Sequence, residues 1–224
     1  MKHKMNIHIV FDLDWTLTDT QKIHQQIESD FLKEKWAIIS PKNIWIKYAW
    51  RTPKERIPEF LATKKIDFTQ EEVNRFADGK EDIILSLLYA WKIDLMPYTA
   101  EILTYLYDKW YKIWISSWSS KELIEQIIQY FNIGNIITAS TSANEVERKK
   151  PHPDVFLASF EKLEKLYGNP EITYVIWDGR SDMEWWYKAW AKTIRFNYLK
   201  KEKVNNIYST MEIDSLKDLK NILS

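Results

Sequence analysis

The chain of 224 residues has no cysteine, only four glycines, no block of like charge and no long apolar run, and each shortage excludes something. Without cysteine there is no disulfide, no thiolate nucleophile and no zinc-thiolate site, a composition that suits a reducing compartment. Four scattered histidines spell out no imidazole metal cluster. Thirty-two basic and 32 acidic residues cancel and are mixed along the chain. Neither a nucleic acid nor an anionic membrane would meet an electrostatic footprint, so a small-molecule partner is expected. No apolar window approaches the roughly 18 residues that span a bilayer. The opening MKHKMNIHIVFDLD carries only a short apolar run that ends in acids. The expectation is a cytoplasmic protein, a monomer or small homo-oligomer.

The glycine shortage has a counterpart. An average domain of this length holds about 7% glycine, ~16 residues. Here four glycines and 12 tryptophans together make up that complement.

What is present is periodic. NIHIVFD is short, β-branched and apolar, and reads as a buried strand. An amphipathic segment runs from about Gln21 to Lys35, and from there to about Met96 the pattern is helical. TPKERIPEFLA, TQEEVNRFADG and KEDIILSLLYA each start near a capping residue or proline. After a further helix, MPYTAEILTYLYDKW, strands and helices alternate: YKIWISS with SKELIEQIIQYFN, IITAS with PDVFLASFEKLEKLYG, TYVIWD with SDMEWWYKAW, and finally KTIRFN. Such alternation predicts an α/β fold with a doubly wound parallel sheet. Its core would span 1–18 and 97–224, and an inserted all-helical domain would span 19–96.

Ligands of open parallel sheets bind beyond the carboxyl ends of the strands. Asp12 and Asp14 follow the first strand, Ser117 follows the second, and Asp178 with Asp182 follow TYVIW, while Lys150 precedes the helix that begins at Pro153. Carboxylates, a hydroxyl and a lysine on one sheet edge suit phosphoryl transfer assisted by Mg2+, which takes oxygen ligands and keeps several waters. Asp12, Asp178 and the main-chain carbonyl of Asp14 are the expected metal ligands, with Asp182 binding directly or through water, or else orienting Lys150. Asp12 is also the candidate nucleophile, forming an aspartyl phosphate. Asp14 is the candidate acid and then base. Ser117 and Lys150 are expected to hold the phosphoryl oxygens.

These segments also resemble a known family. DLDWTLTDT resembles the DxDGT signature of the haloacid dehalogenase-like hydrolases, and IWISSWSS is similar to their second motif, an apolar strand ending in Ser or Thr. KKPHPDVF resembles their lysine motif, GKPxPD, and WDGRSDMEWW their fourth, GDxxxD followed by glycine. Motif order and the helical insertion are similar to the subgroup with a helical cap, which contains phosphoglycolate phosphatase and β-phosphoglucomutase. The resemblance implies a Rossmann-like core, Mg2+ and an aspartyl-phosphate route, with a cap that closes over the site and selects the substrate.

Within that resemblance Trp15, Trp118 and Trp177 stand where the motifs carry glycine, and Trp186 and Trp190 stand at glycines of the following helix. Trp50, in AWRTPKE, sits where a cap motif begins with glycine. Trp110, in DKWYKI, sits where a helix-ending glycine belongs. Drift does not place one bulky residue at so many turns that need a permissive backbone. The expectation is that the source reads UGA as glycine, so that the chain as written, with an indole beside both aspartates, is impaired.

Plainer readings exist for single residues. A DxD pair also caps helices, Ser117 also suits a local backbone donor, and Asp182 also suits a helix N-cap. Lys149 is the structural alternative to Lys150. Arg51 and Arg56 are candidates for the distal part of the substrate or for surface salt bridges. Thr16 and Trp118 complete the substrate candidates. The expected function is a Mg2+-dependent phosphatase of a small phosphorylated metabolite. The alternatives are a phosphomutase of the β-phosphoglucomutase type and a catalytically silent protein of the same fold.

Overall fold

All five residues of IHIVF are buried and form β1 (Ile7–Phe11), as expected for a strand covered on both faces. The computed structural model describes residues 5–37, 52–90, 92–148, 152–198 and 207–224, with backbone alone for 21 and 180–182. These residues divide into two compact units, Thr20–Ile93 and the remainder of the chain.

The larger unit continues with a helix, α4 (Thr99–Asp108), which follows the three helices of the smaller unit along the chain. Then follow β2 (Lys112–Ser116), α5 (Lys121–Tyr130), β3 (Ala139–Thr141), α6 (Asp154–Tyr167), β4 (Ile172–Trp177), α7 (Arg180–Lys188), β5 (Lys192–Phe196), β6 (Met211–Ile213) and α8 (Leu219–Ile222). The strands form one parallel sheet in the order β3-β2-β1-β4-β5-β6. The parallel α/β architecture expected from the alternation, Rossmann-like as the resemblance implies, is therefore present. Sequence reading missed β6, whose three residues are too few to display a period of two.

One face of this sheet buries Val10, Trp114, Val175 and Trp177 against Val155, Phe156 and Leu163 of α6 and Met183 and Trp186 of α7. The Phe156 ring lies 5.2 Å from Trp177, edge on, and 4.8 Å from Trp186. Buried aromatics of this size contribute a large share of the apolar area removed from water.

His8, in β1, is fully buried, and neither ring nitrogen finds a hydrogen-bond partner among the described residues. Burial, with Lys112 adding to it, pulls its pKa from 6.5 down to about 4. The folded protein therefore holds a neutral ring, while the unfolded chain takes up a proton below pH 6.5. The resulting stability is complete above pH 6.5 and is lost as pH falls toward 4. Urea titrations at pH 7 and pH 4.5 should show a drop that a His8→Asn variant lacks, by up to about 3 kcal/mol.

The smaller unit is all-helical: α1 (Gln21–Glu34), α2 (Pro53–Thr63) and α3 (Gln70–Tyr89). Pro53 opens α2, and the Glu55 carboxylate accepts from the Thr52 N–H at 2.9 Å. Thr69 and Glu72 cap α3 reciprocally, at 3.2 and 3.0 Å. The two helices expected on either side of Gly79 are one. The buried stripe Val73, Lys80, Ile84 and Leu88 continues through the glycine, no proline interrupts it, and a Cβ at Gly79 would meet nothing within 4 Å. One mid-helix glycine costs only about 1 kcal/mol, which this packing outweighs. Leu32, Ile57, Phe60, Leu61 and Val73 make the core, and the Phe31 and Phe76 rings stack at 4.1 Å.

That unit also corrects the surface salt bridge expected for Arg56. Arg56 is only 3% exposed, and its guanidinium grips the fully buried Glu28 through Nε, 2.9 Å from Oε2, and through Nη2 on Oε1. The Lys80 ammonium meets the same Oε1. Arg51 lies outside the described residues.

Candidate active site at the switch point of the sheet

From β1 the chain winds to β2 and β3 on one side, then returns to β4, β5 and β6 on the other, so the strand order reverses between β1 and β4. Open α/β sheets bind ligands at such a reversal, beyond the carboxyl ends of the strands. Asp12 follows β1 and Asp178 follows β4. The two strand ends are locked in register, Phe11 opposite Ile176, with the Asp12 N–H donating to the Ile176 carbonyl at 3.0 Å. Ser117 follows β2, on the other flank of β1, and its N–H donates to the Thr141 carbonyl at 3.0 Å.

The turn after β1 is tightly bound. Leu17 and Thr18 donate N–H groups to the Leu13 carbonyl, both at 3.0 Å, and Trp15 donates to the Thr18 carbonyl at 2.8 Å. The Leu17 carbonyl in turn accepts from the Met96 N–H at 2.9 Å and the Thr99 hydroxyl at 3.0 Å. Each carboxylate is oriented within this frame. Asp12 Oδ1 accepts from the Leu13 N–H at 2.7 Å, and Asp14 Oδ2 accepts from the Ser119 hydroxyl at 2.8 Å.

Ser119 is the residue that sequence reading missed. Besides the bond to Asp14, its own N–H donates to Ser117 Oγ at 3.1 Å. Ser117 thus has the local backbone donor of its plainer reading, and that bond uses an oxygen lone pair rather than its O–H. The signal was present in SSWSS as a hydroxyl three residues past the strand end, but the partner carboxylate lies 105 residues away. Thr16 is fully buried, its hydroxyl without a partner among the described residues. Trp118 is half-buried, its ring edge-on to Phe156 at 5.6 Å. Lys150 lies outside the described residues, and so does its alternative Lys149.

Residues 9–196 match the family model described as haloacid dehalogenase-like hydrolase. The chain belongs to this family.

As a haloacid dehalogenase-like hydrolase it is similar to Protein CbbY of Rhodobacter capsulatus, 23% identical over 69% of this chain and 70% of that one. The crystal structure of a predicted phosphoglycolate phosphatase from Haemophilus somnus superposes over 100% of both chains, with a TM-score of 0.81 at 18% identity. CbbY from Rhodobacter sphaeroides, solved with phosphate, matches over 96% of both chains, with a TM-score of 0.77 at 19% identity. β-Phosphoglucomutase from Clostridium difficile matches over 98% of this chain and 96% of that one, with a TM-score of 0.77 at 22% identity. No helix among the described residues of this hydrolase is long and apolar enough to cross a membrane.

The donor chemistry at the switch point suits a hard divalent cation, since what the adjacent strand ends offer is carboxylate and carbonyl oxygen. Among the described residues no three acidic or imidazole side chains form a ready cluster. Asp182 lies on α7, which shows this residue's backbone alone.

Proposed function

We propose that this hydrolase is a Mg2+-dependent phosphatase of a small phosphorylated metabolite. The observation that supports the reading is the pair of strand-end residues, Asp12 and Asp178, at the reversal of strand order, with the Asp14 carboxylate, two residues on from Asp12, held by the Ser119 hydroxyl. A bound Mg2+, held by Asp12, Asp178, Asp182 and the Asp14 carbonyl, would neutralise phosphoryl charge. An Asp12 carboxylate oxygen attacks phosphorus, and the bond from phosphorus to the leaving oxygen breaks. Asp14 gives that oxygen its proton. It then takes a proton from the water that attacks the aspartyl phosphate, freeing inorganic phosphate and restoring Asp12. The Ser117 hydroxyl and Lys150 hold phosphoryl oxygens throughout. Choice of substrate is assigned to the helical unit.

The test is phosphate release from a panel of small phosphomonoesters, with Mg2+ and with EDTA. The assay uses the chain as written and a chain with Trp15, Trp118 and Trp177 each changed to glycine. Release from at least one ester that EDTA abolishes supports the proposal, and no release from either chain overturns it. The likeness to β-phosphoglucomutase favours one second reading, a phosphomutase. Isomerisation of a sugar monophosphate that needs a sugar bisphosphate, with little free phosphate formed, would move the assignment there.

A further inference from the structure

Seven non-glycine residues among those described have a left-handed backbone: Trp15, Trp36, Lys65, Tyr98, Trp110, Asn132 and Trp190. Tryptophan supplies 12 of 224 residues and yet four of these seven. Glycine enters this region freely, whereas a side chain with a Cβ is strained by an amount that lowers the folded-to-unfolded ratio roughly five- to thirtyfold. Asn tolerates the region through its short polar side chain, but an indole has no such compensation.

Three of the four sit at the same kind of place. After α1, Trp36 donates to Lys33 at 2.9 Å and Ala37 donates to Leu32 at 2.9 Å. After α4, Trp110 donates to Tyr107 at 2.8 Å and Tyr111 to Leu106 at 3.2 Å. After α7, Trp190 donates to Tyr187 at 3.1 Å and Ala191 to Trp186 at 3.2 Å. These paired bonds are the Schellman helix ending, whose left-handed residue is usually glycine. Burial does not explain the indoles either, because Trp36 is 91%, Trp110 71% and Trp190 96% exposed. The strain is incurred with little apolar area removed from water. The fourth, Trp15 at φ 64, lies in the turn that aims Asp12 and Asp14. Trp36 is the addition that only the backbone reveals, since nothing in its local sequence marked it as a glycine site.

We infer that the functional protein carries glycine at 15, 36, 110 and 190, its gene being read with UGA as glycine, and that residue 15 is a positioning residue whose glycine lets the turn present both aspartates. The assignment of glycine rests on backbone conformation and exposure and stands or falls separately from the phosphatase proposal, on which the positioning role of residue 15 rests.

Three measurements test it. The source DNA should show UGA at the four codons, and peptides of the protein purified from its source should have glycine masses there. UGG codons, or tryptophan in those peptides, would overturn it. In the recombinant full chain, Trp36→Gly, Trp110→Gly and Trp190→Gly should each raise the folded-to-unfolded ratio in urea by roughly three- to tenfold. Trp185→Gly, inside α7, should lower it about fivefold as a control. A loss of stability at the three helix ends would contradict the inference. If the chain releases phosphate, Trp15→Gly should raise kcat at least tenfold with a smaller change in KM, and an unchanged kcat would remove the positioning role.

Discussion

Replacing Asp12 by asparagine, in a chain that also carries Trp15→Gly, is expected to cut phosphate release at least ~10³-fold while leaving the fold intact. The two side chains have the same shape, and the amide oxygen can keep accepting the Leu13 N–H that now lies 2.7 Å from Oδ1. The backbone bond from residue 12 to the Ile176 carbonyl, 3.0 Å, does not involve the side chain at all. On the proposed mechanism, what asparagine removes is the anionic oxygen that would attack phosphorus and one negative ligand for Mg2+. The measurement is kcat on whichever ester the panel identifies, beside a urea titration of the same variant. Activity within tenfold of the parent would sink Asp12 as nucleophile. A tenfold fall accompanied by lost stability would point to a structural role for the carboxylate.

The placement of Asp12, Ser117 and Asp178 at neighbouring strand ends was legible because each follows a short apolar run, and parallel strands buried on both faces make such runs distinctive. Asp12 and Asp178 became neighbours only through the reversal of strand order, which the alternation of elements implies but no local window contains. Ser119 was not legible, since its bond to Asp14 depends on the turn after β2 folding toward the turn after β1. Local chemistry misled at Gly79, where a residue that often ends helices sits in mid-helix because the buried stripe on either side is continuous. The left-handed conformation of Trp110 was foreseeable from a helix pattern that stops just before a strand. That of Trp36 was not, because the sequence around it continues to look helical.

Glu28→Gln should destabilise the helical unit by roughly 3–5 kcal/mol, the cost of removing one partner from a buried ionic cluster. Burial by itself would push the Glu28 pKa up, yet Lys80 and Arg56 outweigh it and bring the group down to about 2. The carboxylate is thus ionised in the folded protein, with its Oε1 shared by both cations. Glutamine keeps the volume and one acceptor oxygen but leaves the Arg56 and Lys80 charges facing each other in the interior. The sign with pH follows from the same shift. Because the folded pKa lies below the ordinary 4.5, the contribution is complete above pH 4.5 and fades as pH falls toward 2. Helical circular dichroism against urea at pH 7 measures the loss, and a loss under about 1 kcal/mol would mean that water reaches the cluster. A triple variant, Glu28→Leu with Arg56→Met and Lys80→Met, should recover much of the deficit, since apolar packing of similar volume replaces buried ion clusters with little cost. Recovery would also fix how Arg56 variants are to be read: a fall in activity on its substitution would first be a failure of the helical core, and only with Glu28 held neutral could it report on the substrate.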